Sequence, residues 1–265
     1  MTGSRPATEA GRLSRLSARA LERPLVASLA VLVVLSLLFL SLPAVDLAVA
    51  SMFTGPNGGF PGVQDPILKA LRFLGLAQTR IAVALILLGF VGKLIAPRQV
   101  AWISSRALLF LAATLAVGPG LLVNAFLKEY WGRPRPIEIE VFGGTDAFMR
   151  AWVPGGSCVS NCSFVSGEAS SSFWMLAVAL VVPRIWRLEA IAAALMWALI
   201  ISVNRMIFGG HFLSDVMLAW SLDLVVIVVF HRLIIVGIGR EGDPRLDTLF
   251  AAWGRPIRRL LRQPA

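Results

Sequence analysis

Long apolar runs separated by short polar and basic segments set the pattern of this chain. Pro24–Leu42 carries no charge, and roughly 20 helical residues suffice to cross the hydrocarbon core of a bilayer. Five further runs follow: about Ile81–Ala96, Ala107–Leu127, from near Ala169 to Pro183, Leu188–Val203 and His211–Phe230. The pattern predicts an all-α fold, a six-transmembrane-helix bundle spanning residues 24–236. Basic tails are expected on either side, at 1–23 and 237–265. The third run is interrupted by Gly118-Pro119-Gly120, where proline is expected to kink the helix. The first run is too long for a cleavable signal and reads as a retained anchor. Asp65-Pro66 opens like a capped helix, and the apolar and basic residues after it predict a segment lying on the outer membrane surface.

Composition strengthens the membrane reading. The chain of 265 residues is 57% hydrophobic and 15% charged, with mean hydropathy +0.77, against about 45–50% apolar and about 25% charged for soluble domains. Its net charge of +10 is spread over the ends of the apolar runs rather than gathered in one patch. That distribution argues for anionic lipid headgroups as the partner and against nucleic acid. With a cytoplasmic N-terminus, 17 of the 25 Lys and Arg residues fall on the inside. The positive-inside rule then places both termini in the cytoplasm. Eight cations remain outside, and several sit close to three polar constellations.

The first constellation is Lys128-Glu-Tyr-Trp-Gly-Arg-Pro-Arg135-Pro136, at the exit of the third run. Lys128 and Arg135 can converge on one anion, with the prolines stiffening the exit. The second, Cys162-Ser-Phe-Val-Ser166-Gly167-Glu168, opens the fourth run. Small residues ahead of a helix expose backbone N–H groups and the positive end of the helix dipole, which suits phosphate. Ser166 could equally be a plain N-cap. The third is Asn204-Arg205, then His211 and Asp215, whose four-residue spacing puts imidazole and carboxylate on one helical face. A carboxylate that accepts from one ring nitrogen leaves the other free as a nucleophile. Arg205 adds a donor fork suited to phosphate.

Together these segments resemble the type 2 phosphatidic acid phosphatase (PAP2) superfamily, which shares its site with vanadium haloperoxidases. The family pattern runs K-x6-R-P, P-S-G-H, S-R-x5-H-x3-D. Here the first is complete, Asn204 stands for the leading Ser of the third, and the second reads Val165-Ser166-Gly167-Glu168. The resemblance covers roughly residues 107–232. It implies that His211 attacks phosphorus and becomes a phosphohistidine, with Asp215 orienting the ring. Lys128, Arg135, Arg205, Ser166 and Gly167 would hold the non-bridging oxygens. The family needs no metal and no other cofactor, and no metal-ligand cluster is visible in the chain.

Glu168 occupies the place of the family's leaving-group acid. A carboxylic acid must keep its proton to act there, which a helix N-terminus and a cationic pocket both oppose. The alternatives are a good leaving group, a contact from Glu168 to a substrate amine or hydroxyl, or a protein that binds lipid phosphates without hydrolysing them. Cys158 and Cys162 could form a small disulfide in an oxidising periplasm, or remain free thiols. Asp223, inside the sixth run, is expensive in lipid unless paired. The implied protein is a metal-independent lipid phosphatase of the bacterial inner membrane with its site open to the periplasm. Lipid A phosphate, undecaprenyl diphosphate and phosphatidylglycerol phosphate or phosphatidate all fit as substrates. A phosphotransferase using the same intermediate is the nearest alternative.

Overall fold

The computed structural model describes residues 9–261 except Asn57, Gln99 and Trp102; side chains are described from Arg23, those of Arg240 and Leu261 excepted. The outermost parts of the two basic tails, 1–8 and 262–265, lie outside the described residues. The fold is all-helical. In chain order we label α1 (Glu9–Ser41), α2 (Ala44–Ser51), α3 (Pro66–Ile95), α4 (Ser105–Tyr130), α5 (Gly167–Val181), α6 (Arg187–Ile207), α7 (Leu213–Phe230), α8 (Asp243–Trp253) and α9 (Arg255–Leu261).

Among the described residues, five segments are long and apolar enough to cross a membrane: Arg23–Ser41 in α1, α3, α4, Arg184–Ile207 and Leu213–Val236. The fourth of the six expected spans is the shorter apolar helix α5, broken at Trp174. Its 15 residues rise only about 22 Å at 1.5 Å each. Trp174 is buried, and its indole N–H donates to Thr114 Oγ1 at 2.9 Å, which pins the break to α4. Beneath it Phe173 stacks on Trp220 with centroids 5.1 Å apart. Val26, Val33, Val34 and Leu37 of α1 and Leu85 and Leu88 of α3 face outward, as helices against lipid do.

Two sequence expectations are corrected. The surface segment after Asp65 and the span from Ile81 form one continuous 30-residue helix, α3. Asp65 caps it, accepting from the amides of Ile67 (2.8 Å) and Leu68 (3.0 Å). Its first turns are too polar to score as a span, yet nothing in them breaks a helix. The third span, moreover, runs on through Pro119 without interruption of the helix. Proline cannot donate the usual backbone bond, and α4 widens into π-type turns over Ala116–Leu127 instead. The Asn124 amide donates to the Pro119 carbonyl at 2.6 Å, satisfying an oxygen within the widened stretch.

The segment expected as a C-terminal tail folds back as α8 and α9 against the ends of α3 and α4. Lys93 is buried there rather than snorkelling, because Asp247 meets its ammonium at 2.7 Å. Asp243 takes the Ser104 hydroxyl and the Arg106 amide. Asp223 is buried midway along α7, and neither of its oxygens is hydrogen-bonded.

Candidate active site

At the end opposite α8 and α9, the polar constellations meet. The end of α4 brings Lys128, the start of α5 brings Ser166 to Glu168, and the end of α6 brings Arg205. The turn into α7 brings His211 and Asp215. All but Ser166 and Asp215 line one cavity of about 710 Å³, together with Arg135, Asn161 and Arg72.

His211 is buried. Its Nδ1 lies 2.8 Å from the carbonyl oxygen of Ser163. A carbonyl only accepts, so Nδ1 carries the proton and Nε2 keeps its lone pair. Burial, with the Lys128 and Arg205 charges adding to it and Asp215 opposing, pulls the imidazole down to about pKa 3. The ring is neutral at physiological pH, with the lone pair on Nε2.

Asp215 does not orient the ring by the direct hydrogen bond expected from the i, i+4 spacing. Its Oδ2 stands 3.8 Å from His211 Nδ1, too far for one. That oxygen accepts instead from the Ser163 hydroxyl at 2.6 Å and from the Phe212 amide at 2.8 Å. Asp215 thus holds the residue whose carbonyl holds the ring, and it caps the first turn of α7.

Behind this pair lies Arg133, a residue that sequence reading counted only as one of the outside cations. It is fully buried and donates to Asp215 Oδ1 (2.6 Å), Ser214 Oγ (2.8 Å), Asp46 Oδ2 (2.8 Å) and the Met149 carbonyl (2.9 Å). Its guanidinium also stacks over Phe212 at 4.4 Å. Asp46, in α2, accepts from the Ser214 amide and hydroxyl as well. Burial drives the Asp46 carboxyl upward, with Arg133 and Ser214 opposing. The network ties the end of the first span to the start of the last.

On the cavity side, Lys128 Nζ donates to Asn161 Oδ1 and Arg135 Nη2 to the Asn161 carbonyl, both at 2.7 Å. Asn161 therefore sets the spacing of two cations, and sequence reading missed it. It adopts a left-handed conformation with φ 50°, which Asn tolerates better than most residues. A disulfide between Cys158 and Cys162 closes the small loop that carries it. Ser166 caps α5, its hydroxyl accepting from the Ala169 amide at 3.3 Å. A Cβ on Gly167 would lie 2.5 Å from Asn124 Oδ1, so only glycine lets α5 approach α4 this closely. Gly210 plays the same part for Arg205, whose Nη2 would lie 2.4 Å from a Cβ there.

Glu168 Oε1 is shared by Arg72 Nε and Arg205 Nε, each at 3.2 Å, while Oε2 has no hydrogen-bond partner. Arg72, absent from the sequence motifs, reaches the site because α3 is continuous. Among the described residues, Arg205 Nε and Nη1 are buried with no hydrogen-bond partner. Among the described residues no three His, Cys, Asp or Glu side chains gather as a metal site.

Known proteins set this geometry in context. A family model described as the PAP2 superfamily matches residues 106–235. A lipid A 4'-phosphatase of Francisella tularensis subsp. novicida is 37% identical over 186 residues, covering 67% of this chain and 81% of its own length. The chain belongs to the PAP2 superfamily. Lipid A 4'-phosphatases of Rhizobium leguminosarum and Rhizobium etli are 50% and 47% identical over 113 and 112 residues, covering 43% and 42% of this chain. Those matches span 48% and 44% of the two rhizobial proteins, so the chain aligns with about half the length of each. No solved structure matches. All three PAP2 motifs lie within the matched family region.

Proposed function

We propose that this PAP2 protein is a membrane lipid phosphatase that removes a phosphate from lipid A or a closely related lipid, through a phosphohistidine at His211. The observation that carries the reading is a neutral imidazole with a free Nε2, facing a cavity that holds cations above and apolar walls below. Lys128, Arg135 and Arg205 surround the upper chamber with donors, and in Arg205 both Nε and Nη1 lack a hydrogen-bond partner among the described residues. Deeper in, Val83, Leu87 and Phe90 of α3 and Ala112, Leu115 and Ala116 of α4 line a slot that suits acyl chains. The names of the relatives support lipid A as the lipid.

In the first step the Nε2 lone pair forms a bond to phosphorus as the bond to the leaving oxygen breaks. That oxygen departs with the bonding pair and takes up a proton from water in the open cavity. Positive charge developing on the ring is met by the Ser163 carbonyl at Nδ1 and, through space, by the Asp215 carboxylate 3.8 Å away. Charge on the three non-bridging oxygens is met by Lys128, Arg135, Arg205 and the Gly167 amide; the Ser166 amide, expected to join them, is instead taken by the Asp215 backbone carbonyl at 3.0 Å. Water then attacks the phosphohistidine, breaking the P–N bond and releasing inorganic phosphate and a neutral ring. Glu168 acts in this account by spacing Arg72 and Arg205, since two guanidiniums within 3.2 Å of Oε1 favour its charged form.

The site end is proposed to be periplasmic. The positive-inside count supports this, as does the placement of α8, α9 and the amino-terminal half of α1 at the other end. Incubating the purified full chain in detergent with lipid A, undecaprenyl diphosphate, phosphatidylglycerol phosphate and phosphatidate, with a chelator present, tests the proposal. Phosphate release, greatest from lipid A, is expected. Lipid-to-lipid phosphate transfer without release would replace hydrolysis by phosphotransfer, and no turnover of any lipid would refute the reading.

A further inference from the structure

One cavity-lining cation is left unused by the chemistry above. Arg80 lies on the face of α3 that also carries Arg72, Leu76, Thr79 and Val83, at helical spacings of three and four. It sits eight residues, or about 12 Å of helix rise, below Arg72. The two arginines differ in their company: Arg72 is held by Glu168 at 3.2 Å, whereas Arg80 is exposed and has no ion pair or hydrogen bond among the described residues. Beneath it the lining becomes wholly apolar. Arg80 therefore marks the border between the phosphate chamber and the slot for acyl chains. A guanidinium held at such a border is costly unless an anion meets it.

We propose that Arg80 is a second anion-binding point of this cavity, selecting lipids that carry another acidic group besides the phosphate at His211. This rests on the lipid phosphatase reading and deepens it by naming a feature of the substrate. The same chemistry could be supplied by the headgroup of a neighbouring bilayer lipid, and the test separates the two sources.

The test uses the full chain in a neutral detergent, with lipid A carrying two phosphates and the same lipid carrying only the phosphate under attack. The wild-type protein is expected to show a lower KM for the doubly phosphorylated lipid. In Arg80→Gln that preference should fall about ten- to hundredfold, as expected for loss of a charged hydrogen bond, chiefly through KM. Arg80→Lys should restore much of it, and thermal unfolding checks that both variants are folded. Equal losses on both lipids would assign Arg80 to a part they share, and no change on either would assign it to the bilayer; both results overturn the proposal. Binding of the two lipids to His211→Ala, with and without Arg80→Gln, gives a readout that needs no turnover. If wild type hydrolyses nothing while Arg80→Gln selectively weakens binding of the doubly phosphorylated lipid, the phosphatase reading fails and the second site stands. Unselective binding in that background removes the site.

Discussion

Two sets of cations flank His211, and they differ in how fully they are satisfied. Behind the ring, Arg133 is sealed from solvent and its guanidinium is taken up by two carboxylates, a hydroxyl and a backbone carbonyl. In front, Lys128 and Arg135 share one asparagine, and Arg205 keeps a buried nitrogen without a partner. The same residue types thus serve opposite ends. A saturated cation fixes structure, because every nitrogen already has its acceptor. An undersaturated group of cations binds, because an incoming phosphate supplies the acceptors the protein withholds.

The comparison breaks most visibly at Arg133. Arg133→Ala leaves two buried carboxylates facing each other without their counter-ion, and stability should fall by about 3–5 kcal/mol. Thermal unfolding in detergent measures this, and a variant as stable as wild type would reduce Arg133 to a bystander. In front of the ring the signs reverse. Lys128→Ala or Arg205→Ala should leave unfolding nearly unchanged and lower kcat by about 10²–10³-fold, the scale for removing one preorganised donor at a developing charge.

Much of this was legible in the chain. Apolar runs announced the helices, and three motifs announced the cavity-facing cations Lys128, Arg135 and Arg205. Arg133 and Asp46 were not legible. Their partners lie 82–87 residues away, and nothing local distinguishes a buried arginine from an interfacial one. Asn161 escaped for a related reason: its part depends on a backbone conformation rather than on its side-chain type. The i, i+4 rule brought Asp215 near His211 but not to it, since the Ser163 carbonyl comes between them in function. Arg72 was hidden by a polar opening turn that made α3 look like two segments.

Smaller effects sharpen the same contrast. His211 is held to about pKa 3 by burial and its cationic neighbours, so protonation should not inactivate the free protein until the medium is strongly acidic. The pH profile of kcat/KM should stay level on this account between about pH 5 and 6.5, where an ordinary histidine of pKa about 6.5 would cost roughly tenfold per unit at its lower end. A fall through that interval would mean that the ring is charged in the free protein. Glu168→Gln weakens the hold on Arg72 and Arg205, and should lower turnover of phosphomonoesters and diphosphates by similar, modest factors. A much larger loss on monoesters, whose alkoxide leaving group needs a proton, would reinstate Glu168 as the general acid.

The central claim is that phosphate passes through His211. Rapid mixing of the protein with lipid A labelled in its phosphate, followed by an alkaline quench that preserves phosphohistidine and by peptide mass spectrometry, tests it directly. Label should appear transiently on the peptide containing His211, in proportion to the enzyme, and should vanish in His211→Ala along with at least about 10⁴-fold of the turnover. Full phosphate release from His211→Ala, or turnover by wild type with no label on that peptide, would contradict the account.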